Sequence, residues 1–300
     1  MSTYHIPVLL EESVSALAIN KDGVYVDATF GGGGHSRAIL DRLGKKGTLI
    51  AFDKDAEALA NAPKDKRLIL VHNDFRFVHN YIRYYGFETV DGILADLGVS
   101  SHQFDTGERG FSFRFDAPLD MRMNTLAQKS AKIVVNSYSF EELETIFRLY
   151  GEVENSRKIA DMICKEREKS PIQSTDDLGR AIADALPKFA EHKYLAKIYQ
   201  ALRIEVNGEM NSLEKFMAGA TKSLVSGGII SVITYHSLED RIVKNFLKSG
   251  NASGEVKRDL MGRGISPYLP VNKKPILPGE EEISGNTRAR SAKFRIAQKR

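Results

Sequence analysis

The sequence predicts an α/β protein: a parallel sheet with helices on both faces, interrupted by an all-helical insertion. Three observations carry this. Over the first hundred or so residues, short β-branched runs alternate with helix-length segments. From about Asp105 to Val206 no strand pattern is found, only helical periodicity. After Gly208 the alternation returns.

The elements follow in order. Val8 to Ile19 has a short helical pattern, and Val24 to Asp27 reads as a strand. A glycine turn leads into a helix over Ser36 to Leu43. Thr48 to Asp53 is a second strand, and Ala56 to Ala62 a second helix of the alternation, stopped by Pro63. Leu68 to Val71, Val78 to Tyr85 and Gly92 to Asp96 continue as strand, helix and strand. In the insertion, Ser139-Phe-Glu-Glu142 has the form of a capping box, with Leu143, Ile146, Phe147 and Tyr150 following at helical spacing. Thr175 to Leu186 is a helix closed by Pro187, and Leu195, Ile198, Tyr199, Leu202 and Val206 form another stripe. Leu213 to Leu224 is a helix ended by Gly227-Gly228, Ile229 to Thr234 a strand, and Leu238 to Leu247 a helix. Ala292 to Ala297 alternates and is expected to close the sheet as an edge strand. The division expected is a discontinuous domain of residues 1–104 and 207–300, with residues 105–206 as the insertion.

Size and composition bound the function. In 300 residues, 42% are hydrophobic and 27% charged, which excludes a largely disordered chain. No apolar run is long enough to span a membrane, and Met1-Ser-Thr-Tyr-His-Ile-Pro7 has no secretory pattern. The single cysteine, Cys164, excludes an internal disulfide and a cysteine-rich zinc site, and it fits a reducing cytoplasm. None of the seven histidines forms a metal-ligand pair at helical spacing, so no metal is expected. The net charge of +4 says little by itself. Its placement says more: Arg288, Arg290, Lys293, Arg295, Lys299 and Arg300 crowd the last thirteen residues without an acid.

The turn Asp27-Ala-Thr-Phe-Gly31-Gly-Gly33-Gly34-His35-Ser36 follows the first strand, where glycines let a ligand approach the main chain. A dinucleotide fingerprint needs Gly or Ala where Ser36 stands, and Asp27 would repel a pyrophosphate. An acid before alternating glycines suits a cationic amino-acid ligand such as S-adenosylmethionine, which has an ammonium and a sulfonium but no phosphate. Asp53, ending strand two, can accept ribose hydroxyls, although nicotinamide enzymes use the same device. Phe75 is placed to stack on adenine or to pack in the core.

Asp96 ends strand four, where open α/β sheets bind ligands, and is the candidate carboxylate facing the reacting group. Ser100 to Gln103 could wrap the cofactor. Arg109 to Phe115 interleaves cations with rings, as single-stranded RNA favours, or packs its rings inward. Ser237 has the form of an N-cap with Asp240 at the third helical position, and His236 is expected at the cleft. No Gly-x-Ser-x-Gly elbow is present, which argues against a serine hydrolase.

Together these segments resemble the ribosomal RNA small subunit methyltransferase H family nearly end to end. The resemblance rests on His5 to Leu10, Asp27 to Ser36, Asp96 to Gln103, Glu108 to Phe113, Pro118 to Met123, Gln200 to Glu209, Tyr235 to Val243 and Arg288 to Lys293. Departures are confined to Gly32 and to Thr287, where a proline is common. The resemblance implies a class I (Rossmann-like) methyltransferase sheet carrying a helical insertion. It also implies methyl transfer from S-adenosyl-L-methionine to N4 of a cytosine in the decoding region of 16S rRNA, with the small ribosomal subunit or its precursor as partner. From the residues themselves no membrane and no metal are expected, and the oligomeric state is not readable. The implied cofactor contacts are Gly33, Gly34, His35, Asp53, Phe75, Asp96 and Gln103, with Asp96 also orienting the target amine. Arg109, Phe111, Arg114, Arg122, His236, Arg288 and Arg290 are the expected RNA contacts, with the insertion as the RNA domain. The alternative function is an assembly factor that binds cofactor and rRNA without turnover. Nicotinamide redox chemistry and DNA methylation are the other rivals.

Overall fold

The computed structural model describes residues 7–60, 62–100, 103–104, 107–262 and 264–300. His5, Ile6, Ser101 and His102 of the motifs above lie outside them. The chain forms two compact units: residues up to Gly98 with Met210–Arg300, and Val99–Glu209.

The first unit is built on a seven-stranded sheet. Strands β1 (Val24–Asp27), β2 (Thr48–Asp53), β3 (Leu68–His72), β4 (Val90–Asp96), β5 (Leu224–Thr234), β8 (Tyr268–Pro270) and β9 (Lys293–Lys299) stand in the order β3-β2-β1-β4-β5-β9-β8. β6 (Lys257–Arg258) and β7 (Gly264–Ile265) form a separate small ribbon. β1 to β5 are mutually parallel, and β9 runs antiparallel to both of its neighbours. Helices α1 (Leu10–Ala16), α2 (Gly34–Arg42), α3 (Ala56–Leu59) and α4 (Val78–Tyr84) precede or link the first four strands.

Both faces of the sheet are covered, which explains the near-continuous apolar strands. Successive side chains alternate in face. Val26, Ile50 and Ile93 therefore join one core with Phe216, Met217 and Phe246, while Tyr25, Leu49 and Leu94 join another with Val14, Leu17 and Ile39.

The second unit is helical. It comprises α5 (Ala131–Ser137), α6 (Phe140–Leu149), α7 (Ser156–Lys169), α8 (Thr175–Ile182) and α9 (Glu191–Asn207). Val134, Phe147, Ile163, Leu178, Ile198 and Leu202 are fully buried at its centre. The Ser139–Glu142 capping box is present, and Ser174 and Asp177 form a second one at α8. Asn207 pins the Pro118–Met123 segment: its Oδ1 accepts from Met123 N at 2.7 Å, and its Nδ2 donates to Met121 O at 2.8 Å.

Four expectations need correction. The helix after β2 is only Ala56–Leu59, ending well before Pro63. α10 (Glu209–Ser223) gives way directly to β5, so Gly227 and Gly228 lie within the strand rather than ending the helix. The cause is a register shift, in which five steps of β5 from Leu224 to Ile229 face two steps of β4 from Val90 to Gly92. β9 is not the edge of the sheet, because β8 pairs outside it, with Pro270 tolerated on that outer strand. The helix α11 (Ser237–Ser249) is capped by His236, not Ser237, with Glu239 rather than Asp240 completing the box. The short α12 (Glu280–Gly285) precedes a 3-10 turn over Thr287–Ser291.

Candidate active site

Strand order reverses at β1 and β4, so a crevice is expected outside their C-terminal ends. The turn after β1 is shaped for close approach. Gly33 caps α2 with φ 75°, and a Cβ there would stand 2.7 Å from the Phe30 ring. At Gly34 a Cβ would meet Pro7 Cγ at 2.1 Å. Only glycine satisfies both positions.

Three carboxylates end three neighbouring strands. Asp27 ends β1 and is fully buried; it accepts from Ser36 Oγ at 2.6 Å and Thr29 N at 3.1 Å. Burial outweighs these bonds and pushes its carboxyl to about 7. Asp53 ends β2, where Gly31 N and Asp55 N donate to its two oxygens at 2.8 and 2.9 Å, and burial raises it as well. Asp96 ends β4. Tyr235 Oη donates to its Oδ1 at 2.7 Å, and Thr29 Oγ1 accepts from its backbone N at 2.7 Å. Burial pushes Asp96 to about 7, with the negative Asp27 and Glu239 adding to the rise. Among the described residues, none of the three carboxylates pairs with Lys or Arg.

His35, on the first turn of α2, is buried, and that burial lowers its imidazole to about 4, so it is neutral. Its Nδ1 lies 3.9 Å from Asp96 Oδ2, beyond hydrogen-bond reach, and its Nε2 makes no hydrogen bond within normal geometry among the described residues. Phe75 is half-buried, edge-on to Phe216 at 5.1 Å, with Lys54 Nζ 5.5 Å from its ring. The preceding Asp74 anchors this corner through Lys54 at 3.0 Å, Arg76 at 2.6 Å and Ser212 Oγ at 3.0 Å. Burial works against ionisation of Asp74, but the two cations prevail and hold it below its ordinary value.

The structure thus brings Gly33, Gly34, His35, Asp53, Phe75 and Asp96 into one unit. Gln103 belongs to the other unit, where it is buried and exchanges bonds with Ser100 at 3.2 Å. Several expected RNA contacts are otherwise engaged. Phe111 is buried in the helical core with Arg109 over its ring at 5.6 Å, so it offers no face to a base. Arg109 donates to the carbonyls of Arg122 and Met123, and Arg122 forks onto Asp120. His236 turns toward its own helix, its Nδ1 accepting from Glu239 N at 3.4 Å. Arg288 is partly buried, whereas Arg114 and Arg290 are exposed. Tyr235 is the residue that sequence reasoning missed. The signal is non-local: only the pairing of Asp96 with Ile233 shows that Tyr235 emerges beside it on the adjacent strand.

A doubly wound parallel sheet with one antiparallel strand near its edge, a glycine turn after β1 and strand-end acids without a cation define the class I methyltransferase fold. The chain belongs to the MraW methylase family, whose model matches residues 2–300. The ribosomal RNA small subunit methyltransferase H of Parabacteroides distasonis is 53% identical over 299 residues, covering 99% of this chain and 98% of that protein. The proteins of the same name from Bacteroides fragilis and Flavobacterium johnsoniae are 53% and 52% identical, covering 100% and 99% of this chain and 98% of each relative.

Proposed function

We propose that this chain transfers a methyl group from S-adenosylmethionine to the exocyclic N4 of a cytosine in the decoding region of 16S rRNA, in the cytoplasm. The observation that carries the reading is Asp96 at the end of β4, held by Tyr235 beside a glycine turn rich in uncompensated carboxylate. The names of the full-length relatives support rRNA of the small subunit as substrate.

The residues suit the cofactor's chemistry. Burial raises Asp27, Asp53 and Asp96, and none has a Lys or Arg partner among the described residues, so a ligand bearing an ammonium and a sulfonium would favour their charged forms and one bearing phosphates would be opposed. Asp53 would take the ribose hydroxyls, Phe75 the adenine, and Gly33, Gly34 and His35 would line the turn. When bound, the cofactor supplies an electrophilic methyl. The N4 lone pair of cytosine is delocalised into its ring, so the protein must hold the amine close and in line. An ionised Asp96 accepts a hydrogen bond from that amine and offsets the positive charge developing on nitrogen. Tyr235 fixes the carboxylate's orientation. The target base must leave its stack to be reached. The helical unit, with exposed Arg114 and Phe115, and the basic C-terminal segment are the proposed RNA contacts.

Tritium transfer from labelled S-adenosylmethionine to small subunits lacking the modification, followed by nucleoside analysis, tests the reading. N4-methylcytidine from the wild type, and little from a folded Asp96→Ala variant, is the expected result. Label on another atom overturns the N4 assignment. No label on any rRNA, with cofactor binding intact, overturns the enzyme reading in favour of a binding protein.

A further inference from the structure

A cavity of about 250 Å³ between α11 and strands β8 and β9 is not used by the chemistry above. Four cations line it: Lys244 and Lys248 on one face of α11, Lys273 just after β8, and Arg295 on β9. Its lining includes the buried Leu247 and Ile296, and no carboxylate. Asp240, one turn before Lys244, forks onto Arg295 at 2.6 and 3.1 Å and lies 3.6 Å from Lys293. Lys244, Lys248 and Lys273 are exposed, and none forms an ion pair among the described residues.

Gathering like charges costs self-repulsion, and among the described residues no carboxylate pairs with these three lysines, since Asp240 is taken by Arg295 and Lys293. A polyanion would. The cavity is smaller than the ~300 to 1,000 Å³ pockets that enclose small molecules, which favours a passing segment over an engulfed ligand. The type of cation narrows the choice. A free guanidinium fork would match carboxylate or phosphate in two-point geometry, but the one Arg here is already committed to Asp240, which leaves point charges only. Three lysine point charges instead suit successive phosphates. Lys244 and Lys248 lie roughly 10 and 17 Å along α11 from Ser237, so the cavity is separate from the end of β5 where Tyr235 meets Asp96.

We propose that this cavity docks the phosphodiester backbone of RNA away from the methylated base. That the RNA is rRNA rests on the function proposed above; the anion site itself does not.

The test measures binding of small ribosomal subunits across a salt series. It compares wild type, the triple variant Lys244→Ala/Lys248→Ala/Lys273→Ala, and a Lys→Arg set at the same positions. Losing three phosphate contacts should flatten the slope of log affinity against log salt by about 2. It should also weaken binding on the order of tenfold or more near physiological salt, with the Arg set restoring both. S-adenosylmethionine affinity reports the fold of each variant. Should the triple variant misfold, each single substitution should still remove about a third of the slope change. Unchanged affinity and slope overturn the proposal. So does wild-type RNA binding by a triple variant that has lost retention of polyglutamate, which would assign the cavity to an acidic peptide. A wild type that methylates no rRNA, yet binds subunits with the lysine-dependent slope, overturns the function proposed above and leaves the docking site standing.

Discussion

Tyr235 Oη donates a 2.7 Å hydrogen bond to Asp96 Oδ1, tying the end of β5 to the end of β4. The bond lowers the pKa of Asp96 against the larger effect of burial. Tyr235→Phe removes it with little change in shape. Asp96 should then titrate above its present value of about 7, and the acid limb of the pH–rate profile should move to higher pH. Activity at pH 7 should fall about tenfold, the loss expected for one charge-assisted bond, with a smaller loss at pH 9. A variant with an unshifted profile would show that Tyr235 is only packing.

Asp27 gives the ligand-free protein a pH signature. Its folded pKa, about 7, exceeds the unfolded value of 3.8, so the folded state binds more protons between these values. Its contribution to stability is therefore fully present below pH 4 and lost as pH rises through about 7. Asp27→Asn removes the charge that burial opposes, so its ligand-free thermal midpoint at pH 8 should exceed that of the wild type. The two should converge as pH falls to about 4. The same variant should bind S-adenosylmethionine at least tenfold more weakly, because it removes a carboxylate of the proposed complement to the cationic ligand. Calorimetry at pH 8 checks both effects.

Two glycines should respond oppositely to alanine. Gly33→Ala forces a left-handed residue and a contact with Phe30, costing roughly 1–2 kcal/mol or more and cutting cofactor affinity. Gly179, in α8, has open space where a Cβ would go, so Gly179→Ala should stabilise by about 0.5–1 kcal/mol. Urea unfolding of both variants provides the comparison.

Asn207 bonds backbone groups of three residues: Met123 N and Met121 O across the segment, and Arg203 O in its own helix. Asn207→Leu leaves Met123 N and Met121 O without that partner while keeping the branching of the side chain. A loss of about 1–3 kcal/mol in urea unfolding is expected, with faster proteolysis in the Pro118–Met123 segment.

Much of the sheet was legible because both of its faces are covered, so strands read as apolar runs bounded by glycine or acid, as at Val24–Asp27 and Thr48–Asp53. The capping box at Ser139 was legible because it is local. What escaped was non-local. The pairing of β8 outside β9 joins segments whose patterns do not announce each other, and Tyr268–Pro270 is too short to show an alternation. The Arg109–Phe115 run leaves two readings open, because a basic-aromatic run looks the same whether its rings face RNA or a core; the helical cluster places Phe111 inside. At the site, the strand-end acids could be read from their positions, but Tyr235 became visible only once β5 was known to lie beside β4.

β9 lies inside the sheet, yet it comes later in the chain than every other strand of that sheet. During synthesis β5 is complete some sixty residues before its neighbour appears, and β8 emerges with nothing to pair against. The first five strands can assemble while the chain is still tethered, but the sheet can close only when residues 293–299 have cleared the exit tunnel. Until then β5 exposes an open edge, and a nascent chain stalled before that point should be the form most easily captured by chaperones.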